Sequence, residues 1–304
     1  MTGGPGTTTG RLDWLVSNTA GFFDSVWARR PRVLRAEGVA GLLTEEQIWH
    51  ELDCGQLTLP YVTVFGGSSP GARMAPIRSR TVNGFEVDGF VDRGRLRREF
   101  DAGATLKFNR IDHWHLPVRK ITDEMSEIFE SGVVAHAFLS PPGDEPVITA
   151  HLDGLHVFIL QTSGTKDWVA GAVDPVSPSG SAFCEHTAIT EQGRLETRLT
   201  PGDGLYLPHG SPHYALARSE TSLHIAIEVQ DPTPWDFIEA YCARVEGTAD
   251  WPSEVSRDQA ATSGADRFRE VFLAALDPVS HDDVKVAAAR IAQTRTVYPA
   301  HRRT

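Results

Sequence analysis

His151 and Asp153 stand two apart in the segment ITAHLDGLHVFIL. On a strand that spacing sends both side chains to the same side, as two ligands of one metal require. A third ligand from a later, returning strand would complete a 2-His-1-carboxylate set. Such a set holds Fe(II) on one face and leaves three positions open for co-substrate and oxygen. His213 is the candidate: Pro201-Gly202-Asp203-Gly204 makes a turn, Leu205-Tyr206-Leu207 a strand, and His213 follows the tight Pro208 to Pro212 loop. The separation, 213 − 151 = 62 residues, leaves room for intervening strands. His209 and His224 are fallback ligands, although for each a hydrogen-bonded histidine near a polar cavity is the simpler expectation.

The pair alone proves little. With 12 histidines in 304 residues, chance supplies such a spacing, and a second does occur, His281/Asp283. That pair lies at a helix start, where capping already explains Asp283, and only His301 follows it. It is set aside.

Lys166 adds a second chemical element. It lies 166 − 151 = 15 residues past His151, after the Ser163-Gly164 turn and at the start of an otherwise apolar strand. An inward lysine there must be paired, and the distal carboxylate of 2-oxoglutarate would pair it. Without the metal motif, a lysine snorkelling to the surface would be preferred.

The elements that must position these residues fall into three regions. From Leu12 to about Asp53 the pattern is helical: Phe22, Phe23, Val26 and Trp27 recur at near-helical spacing, Pro31 stops the run, and Thr44 to Leu52 puts Ile48 and Leu52 on one face. Residues 66–80 form a Gly/Pro/Ser-rich stretch with Arg73, Arg78 and Arg80, read as a solvated connection. A mobile lid offering positive charge is the competing reading.

Residues 105 to 230 are strand-rich: TLKFN, VVAHAFL, HVFILQT, KDWVAGAV, RLETRLT, GLYLP and SLHIAIEV, punctuated by Gly, Pro and Asp. Many short strands imply a sandwich or barrel. One helix, Val118 to Phe129, precedes most of them. From Pro234 onward the pattern returns to helix, with Phe268, Val271, Phe272, Ala275 and Leu276 on one stripe and Ser280 as an N-cap.

Composition narrows the class. A 40% hydrophobic, 23% charged chain is ordinary for a globular protein. The net charge of −11 argues against nonspecific nucleic-acid binding. Three scattered cysteines (Cys54, Cys184, Cys242) give no disulfide framework and suggest thiols in a reducing cytoplasm. Residues 1–10 are a Gly/Thr-rich leader, expected to be disordered and unlike a signal peptide. No apolar run approaches the roughly 20 residues of a membrane helix.

The run HLDGLHVFILQTSGTKDW, followed by TPGDGLYLPHGSPH and SLHIAIEV, resembles the JmjC-domain ribosomal oxygenases and their cupin-like relatives. FFDSVWARRPRVLRAEG, GATLKFNRIDHWHLPVRKI and HAFLSPPG resemble the preceding segments of that family, so the similarity spans about residues 12 to 230 in order. The resemblance implies a mainly β fold with flanking helices, a double-stranded β-helix (jelly-roll or cupin, JmjC type). Residues 11–230 would be catalytic, and 231–304 a helical region, expected to dimerise.

It also implies Fe(II), 2-oxoglutarate and O2, with His151, Asp153 and His213 as iron ligands and Lys166 on the C5 carboxylate. His136 and Phe138 stand where the family often has Asn and Tyr near the co-substrate, so His136 is expected to substitute as a donor; His224 joins them as a co-substrate neighbour. The implied reaction hydroxylates an amino-acid residue, free amino acid or peptide-like substrate and releases succinate and CO2. A carboxylate at Asp153 fills the position that halogenating relatives leave for chloride. The expected partners are that substrate and a second copy of the chain, with no nucleic acid or membrane. The rivals are a metal-dependent cupin enzyme without 2-oxoglutarate and a non-catalytic cupin-like binding protein.

Overall fold

A computed structural model describes residues 12–16, 18–173, 184–185, 188–246, 269, 272–274 and 279–294. These fall into two compact units, one holding 12–128 and 133–229 and the other 129–132 and 230–294.

The first unit opens with α1 (Thr19–Ser25), capped by the Asn18 side chain, which accepts from the Gly21 N–H at 3.0 Å. The helix ends at Ser25, before Val26, Trp27 and the expected stop at Pro31, and β1 (Arg32–Arg35) follows where the sequence pattern suggests only helix. Its alternate side chains are too polar to announce a strand. Then α2 (Glu45–Cys54) begins at a capping box: Thr44 Oγ1 accepts from Gln47 N at 3.2 Å, and Gln47 Oε1 from Thr44 N at 2.9 Å. It buries Ile48 and Leu52, as the pattern predicts, and Trp49 as well.

After β2 (Val62–Phe65), the expected solvated connection is partly strand: β3 (Ala72–Met74) and β4 (Ile77–Val82), the latter paired with β5 (Phe85–Val91). β3 and β4 are largely exposed on both faces, so they lack the apolar alternation that reveals a strand. Arg73 is committed locally, donating to Ser69 O at 2.9 Å and pairing with Glu99 of α3 (Arg93–Asp101).

The barrel is built from β6 (Thr105–Phe108), then α4 (Leu116–Phe129), then β7 (Gly132–Ser140), β8 (His151–Leu152), β9 (His156–Ser163), β10 (Lys166–Ala170), β11 (Cys184–Glu185), β12 (Leu195–Leu199), β13 (Asp203–Leu207), β14 (His213–Leu216) and β15 (Ser222–Gln230). One sheet runs β1-β13-β9-β15-β7-β6-β2-β3 and the other β11-β8-β14-β10-β12. From β7 to β15 the chain passes back and forth between two antiparallel sheets, staying in the smaller one for β10, β11 and β12, which is the double-stranded β-helix. Val157, Ile159, Leu205, Leu207 and Ala226 of one sheet pack on Trp168, Ala170 and Leu199 of the other.

The larger sheet is buried on its outer face too. Phe22 sits edge-on to Tyr206 with centroids 5.0 Å apart, and Trp27 stacks on Tyr206 at 5.4 Å. That second burial explains why β9 and β15 read as nearly continuous apolar runs rather than alternating ones.

Gly164 turns β9 into β10 with φ +61°, and an added Cβ would lie 2.0 Å from the Thr221 carbonyl oxygen. Gly164→Ala is therefore expected to lose more than about 1 kcal/mol of stability. Chemical denaturation measures this; an unshifted midpoint would show that the turn relaxes freely.

In the second unit, α5 (Pro234–Glu246) and α6 (His281–Thr294) pack through Ala240, Val284 and Ala288. Ser280 is the expected N-cap, its Oγ accepting from Asp283 N at 3.4 Å. His281 meets the Tyr241 hydroxyl at 2.9 Å. The Phe268 to Leu276 stripe lies largely outside the described residues. No helix among the described residues is long and apolar enough to cross a membrane.

Candidate active site

β8 and β14 pair so that His151 lies directly across from His213. β8 stops at Leu152, so Asp153 sits just beyond the strand and not on it. Its carbonyl accepts from Gly210 N at 2.9 Å, which ties it to the loop before β14. One ligand atom from each of His151, Asp153 and His213 lies within 4.8 Å of the others.

Protons decide what this cluster can hold. His151 Nδ1 is 2.8 Å from Thr149 O, and His213 Nδ1 is 3.0 Å from Ser211 O. A carbonyl only accepts, so each Nδ1 carries the hydrogen and each Nε2 presents a lone pair. His213 Nε2 also lies 3.7 Å from Asp153 Oδ2. Burial, and then His151, push the His213 pKa down to about 4 against the pull of Asp153, keeping it neutral. Three acceptors facing one another with no proton between them fit a cation. The donor set, two imidazoles and one carboxylate, suits Fe(II).

The cluster opens on a cavity of ≈270 Å³. Lys166 also lines that cavity. It is buried and donates to Ser140 Oγ at 2.8 Å, while Thr105 Oγ1 lies 3.0 Å from the same oxygen. Lys166 makes no ion pair among the described residues, and burial lowers its pKa to about 7. Phe138 and His224 stack at 5.0 Å, and Trp168 meets His224 edge-on at 5.2 Å. His224 Nδ1 and Trp168 Nε1 are buried without hydrogen-bond partners. Burial, Lys166 and His213 all hold the His224 pKa low.

The other histidines separate from the site. His209 is placed with His156, whose Nδ1 accepts from His209 N at 3.2 Å, and is not in the metal cluster. His136 does not line the cavity: its Nδ1 accepts from Arg110 N at 3.3 Å, and its Nε2 faces Glu228 Oε2 at 3.4 Å. The donor capacity expected to serve a co-substrate is directed at a carboxylate instead.

The sequence pattern missed Ser140, Thr105 and Glu228. Glu228 had a signal, as the ionisable residue furthest along the apolar strand SLHIAIEV, two-residue period with His224. The serine and threonine had none, since hydroxyls are unremarkable on strands.

Residues 107–237 match the family described as JmjC domain. That match spans 131 of the 304 residues (237 − 107 + 1). Ribosomal oxygenase 2 of Mus musculus is 25% identical over 222 residues, covering 70% of this chain and 45% of the relative. The bifunctional lysine-specific demethylase and histidyl-hydroxylase NO66 of Drosophila willistoni is 32% identical over 122 residues, covering 38% and 16%. The chain thus spans less than half the length of these curated relatives. Among solved structures, Escherichia coli ycfD aligns with TM-score 0.59 at 18% identity, covering 88% of this chain and 70% of that one. The ribosomal oxygenase YcfD from Escherichia coli in complex with cobalt and 2-oxoglutarate aligns with TM-score 0.56 at 18% identity, covering 87% and 68%. The chain therefore has the cupin-like double-stranded β-helix fold that its residues and resemblance predict.

Proposed function

We propose that this chain is a JmjC-type, Fe(II)- and 2-oxoglutarate-dependent oxygenase that hydroxylates an amino-acid residue, free amino acid or peptide-like substrate. The observation that carries the reading is the pair of histidines whose Nδ1–H groups are committed to backbone carbonyls, aiming two Nε2 lone pairs beside Asp153. A buried lysine without an ion pair lines the same cavity. The cobalt and 2-oxoglutarate complex of the YcfD relative supports it.

In this reading His151, Asp153 and His213 hold the iron, and Lys166 with Ser140 receives the distal carboxylate of 2-oxoglutarate. Iron, 2-oxoglutarate and O2 together supply an oxidant strong enough for an unactivated C–H bond, with succinate and CO2 released. The chain's own contribution is positioning and exclusion of water. Phe138, His224 and Trp168 line the same cavity, and the burial of Lys166 strengthens its attraction for an anion. Asp153 occupies the position a halide would need, which favours hydroxylation over halogenation.

A cytoplasmic location accords with the exposed free thiols of Cys54 and Cys242. We also assign the helical second unit to pairing with another copy, which light scattering tests.

Activity is tested by supplying the protein with Fe(II), ascorbate, 2-oxoglutarate and O2 and measuring succinate. Slow succinate formation without substrate, accelerated by a peptide that gains one oxygen atom, is expected. Metal binding with no succinate under any condition would favour the metal-only cupin enzyme.

A further inference from the structure

Among the described residues three carboxylates line the cavity: Asp153 in the metal cluster, Glu145 on the exposed loop after β7, and Glu228 on β15. Glu228 has no part in the chemistry above. Its strand sends His224, Ala226 and Glu228 to the cavity at the two-residue period. His224 lies at the end that feels Lys166. Glu228 is four residues further, about 13 Å along the strand, and pairs across to Val157, just after the metal-bearing segment. A co-substrate anchored on Lys166 leaves Glu228 free of it.

The charge around Glu228 is settled within the protein. Lys107 of β6, almost wholly buried, places Nζ 3.8 Å from Oε1 and lies over the Phe138 ring at 5.2 Å. His136 of β7 has its Nδ1 occupied by Arg110 N, so its Nε2 carries the hydrogen that faces Oε2. Burial pushes the Glu228 pKa up, but His136 and Lys107 outweigh it and hold the group down at about 2. A carboxylate offers about four acceptor positions, and these two partners leave acceptor capacity for a group in the cavity.

Resting on the oxygenase reading, we propose that Glu228 orients the substrate by accepting a hydrogen bond from a neutral N–H or O–H. The site then takes an amide- or hydroxyl-bearing group in preference to a cation or a carboxylate. A permanently ionised acceptor repels an anionic group. A cation gains little, because Lys107 already neutralises Glu228 and would stand close to the newcomer. A neutral donor adds a charge-assisted bond without altering that balance.

The test is an anaerobic titration of the Fe(II) and 2-oxoglutarate complex with N-acetyl methylamides of Asn, Gln, Ser, Arg, Lys and Glu, following the visible charge-transfer band. At least one of the Asn, Gln and Ser compounds is expected to shift the band at lower concentration than any charged one. Glu228→Gln, which keeps one acceptor oxygen, weakens that response several-fold. Glu228→Met weakens it roughly tenfold or more. Tighter binding of the Arg or Lys compound, no response to any of the six, or equal binding by the Met variant overturns the proposal. So does a parallel loss of 2-oxoglutarate affinity in the variants, which would mark Glu228 as a clasp between β6, β7 and β15. If the Met variant does not fold, the Gln variant carries the comparison. Absence of the band before any probe is added is a different result, and overturns the oxygenase reading itself.

Discussion

His151→Ala and His213→Ala each weaken Fe(II) binding by more than about 100-fold, since removing even an outer partner of a metal ligand costs 10–100-fold. Each histidine is one of three donors, and the Thr149 and Ser211 carbonyls exist in the site to fix ring orientation. His213 is buried, so its alanine variant also leaves a void; His213→Gln, which nearly fills the space, separates lost packing from lost ligation. Calorimetry with Fe(II) or Co(II) under argon, beside a circular dichroism melt, reads both. Undiminished binding in a folded His213→Gln variant would remove that residue from the metal set.

The second large effect belongs to Lys166. Truncating one partner of a buried charge pair costs about 2–5 kcal/mol, or roughly 30-fold to several thousandfold in affinity. Lys166→Met should therefore weaken 2-oxoglutarate by that factor while leaving metal binding in place. The same variant is expected to stabilise the protein without co-substrate, because an unpaired buried ammonium is exchanged for an apolar chain of similar length.

Proton linkage gives this prediction a pH signature. With the folded pKa of Lys166 at about 7 against 10.5, the unfolded chain binds more protons between those values. Stability therefore rises with pH across that window, and the Met variant lacks this slope. Co-substrate affinity has the opposite sense. A dianion requires the charged lysine, so affinity is steady below pH 7 and falls by up to about tenfold per unit above it. A flat affinity profile from pH 6 to 9 would mean that another group receives the carboxylate.

The parts of the site legible in the sequence are those whose chemistry is peculiar to the residue type. A His-x-Asp pair, a later histidine after a tight turn, and a lysine opening an apolar strand each ask for an explanation, and the structure brings all of them to one cavity. Strand placement was less legible. Asp153 falls just past a two-residue strand, and its position depends on Gly210, 57 residues later (210 − 153). Strands β1, β3 and β4 carry no apolar alternation because they are largely solvent-exposed.

The Glu228 environment was beyond reach for a different reason. Its partners Lys107 and His136 come from distant strands, and pairing of that kind is set by sheet order, which local pattern does not encode. His136 shows the same limit. Its type suggested a donor for the co-substrate, and only the neighbouring Arg110 N–H and Glu228 reveal where both ring nitrogens go.

The central claim is that one cavity holds iron and 2-oxoglutarate together. Purified metal-free protein is titrated anaerobically with Fe(II) and then 2-oxoglutarate, and the visible metal-to-ligand charge-transfer band is followed in the wild type, His151→Ala and Lys166→Ala. The account predicts a band in the wild type, none in His151→Ala, and one in Lys166→Ala that needs far more 2-oxoglutarate. Bound iron with no band at saturating 2-oxoglutarate in the wild type would contradict it.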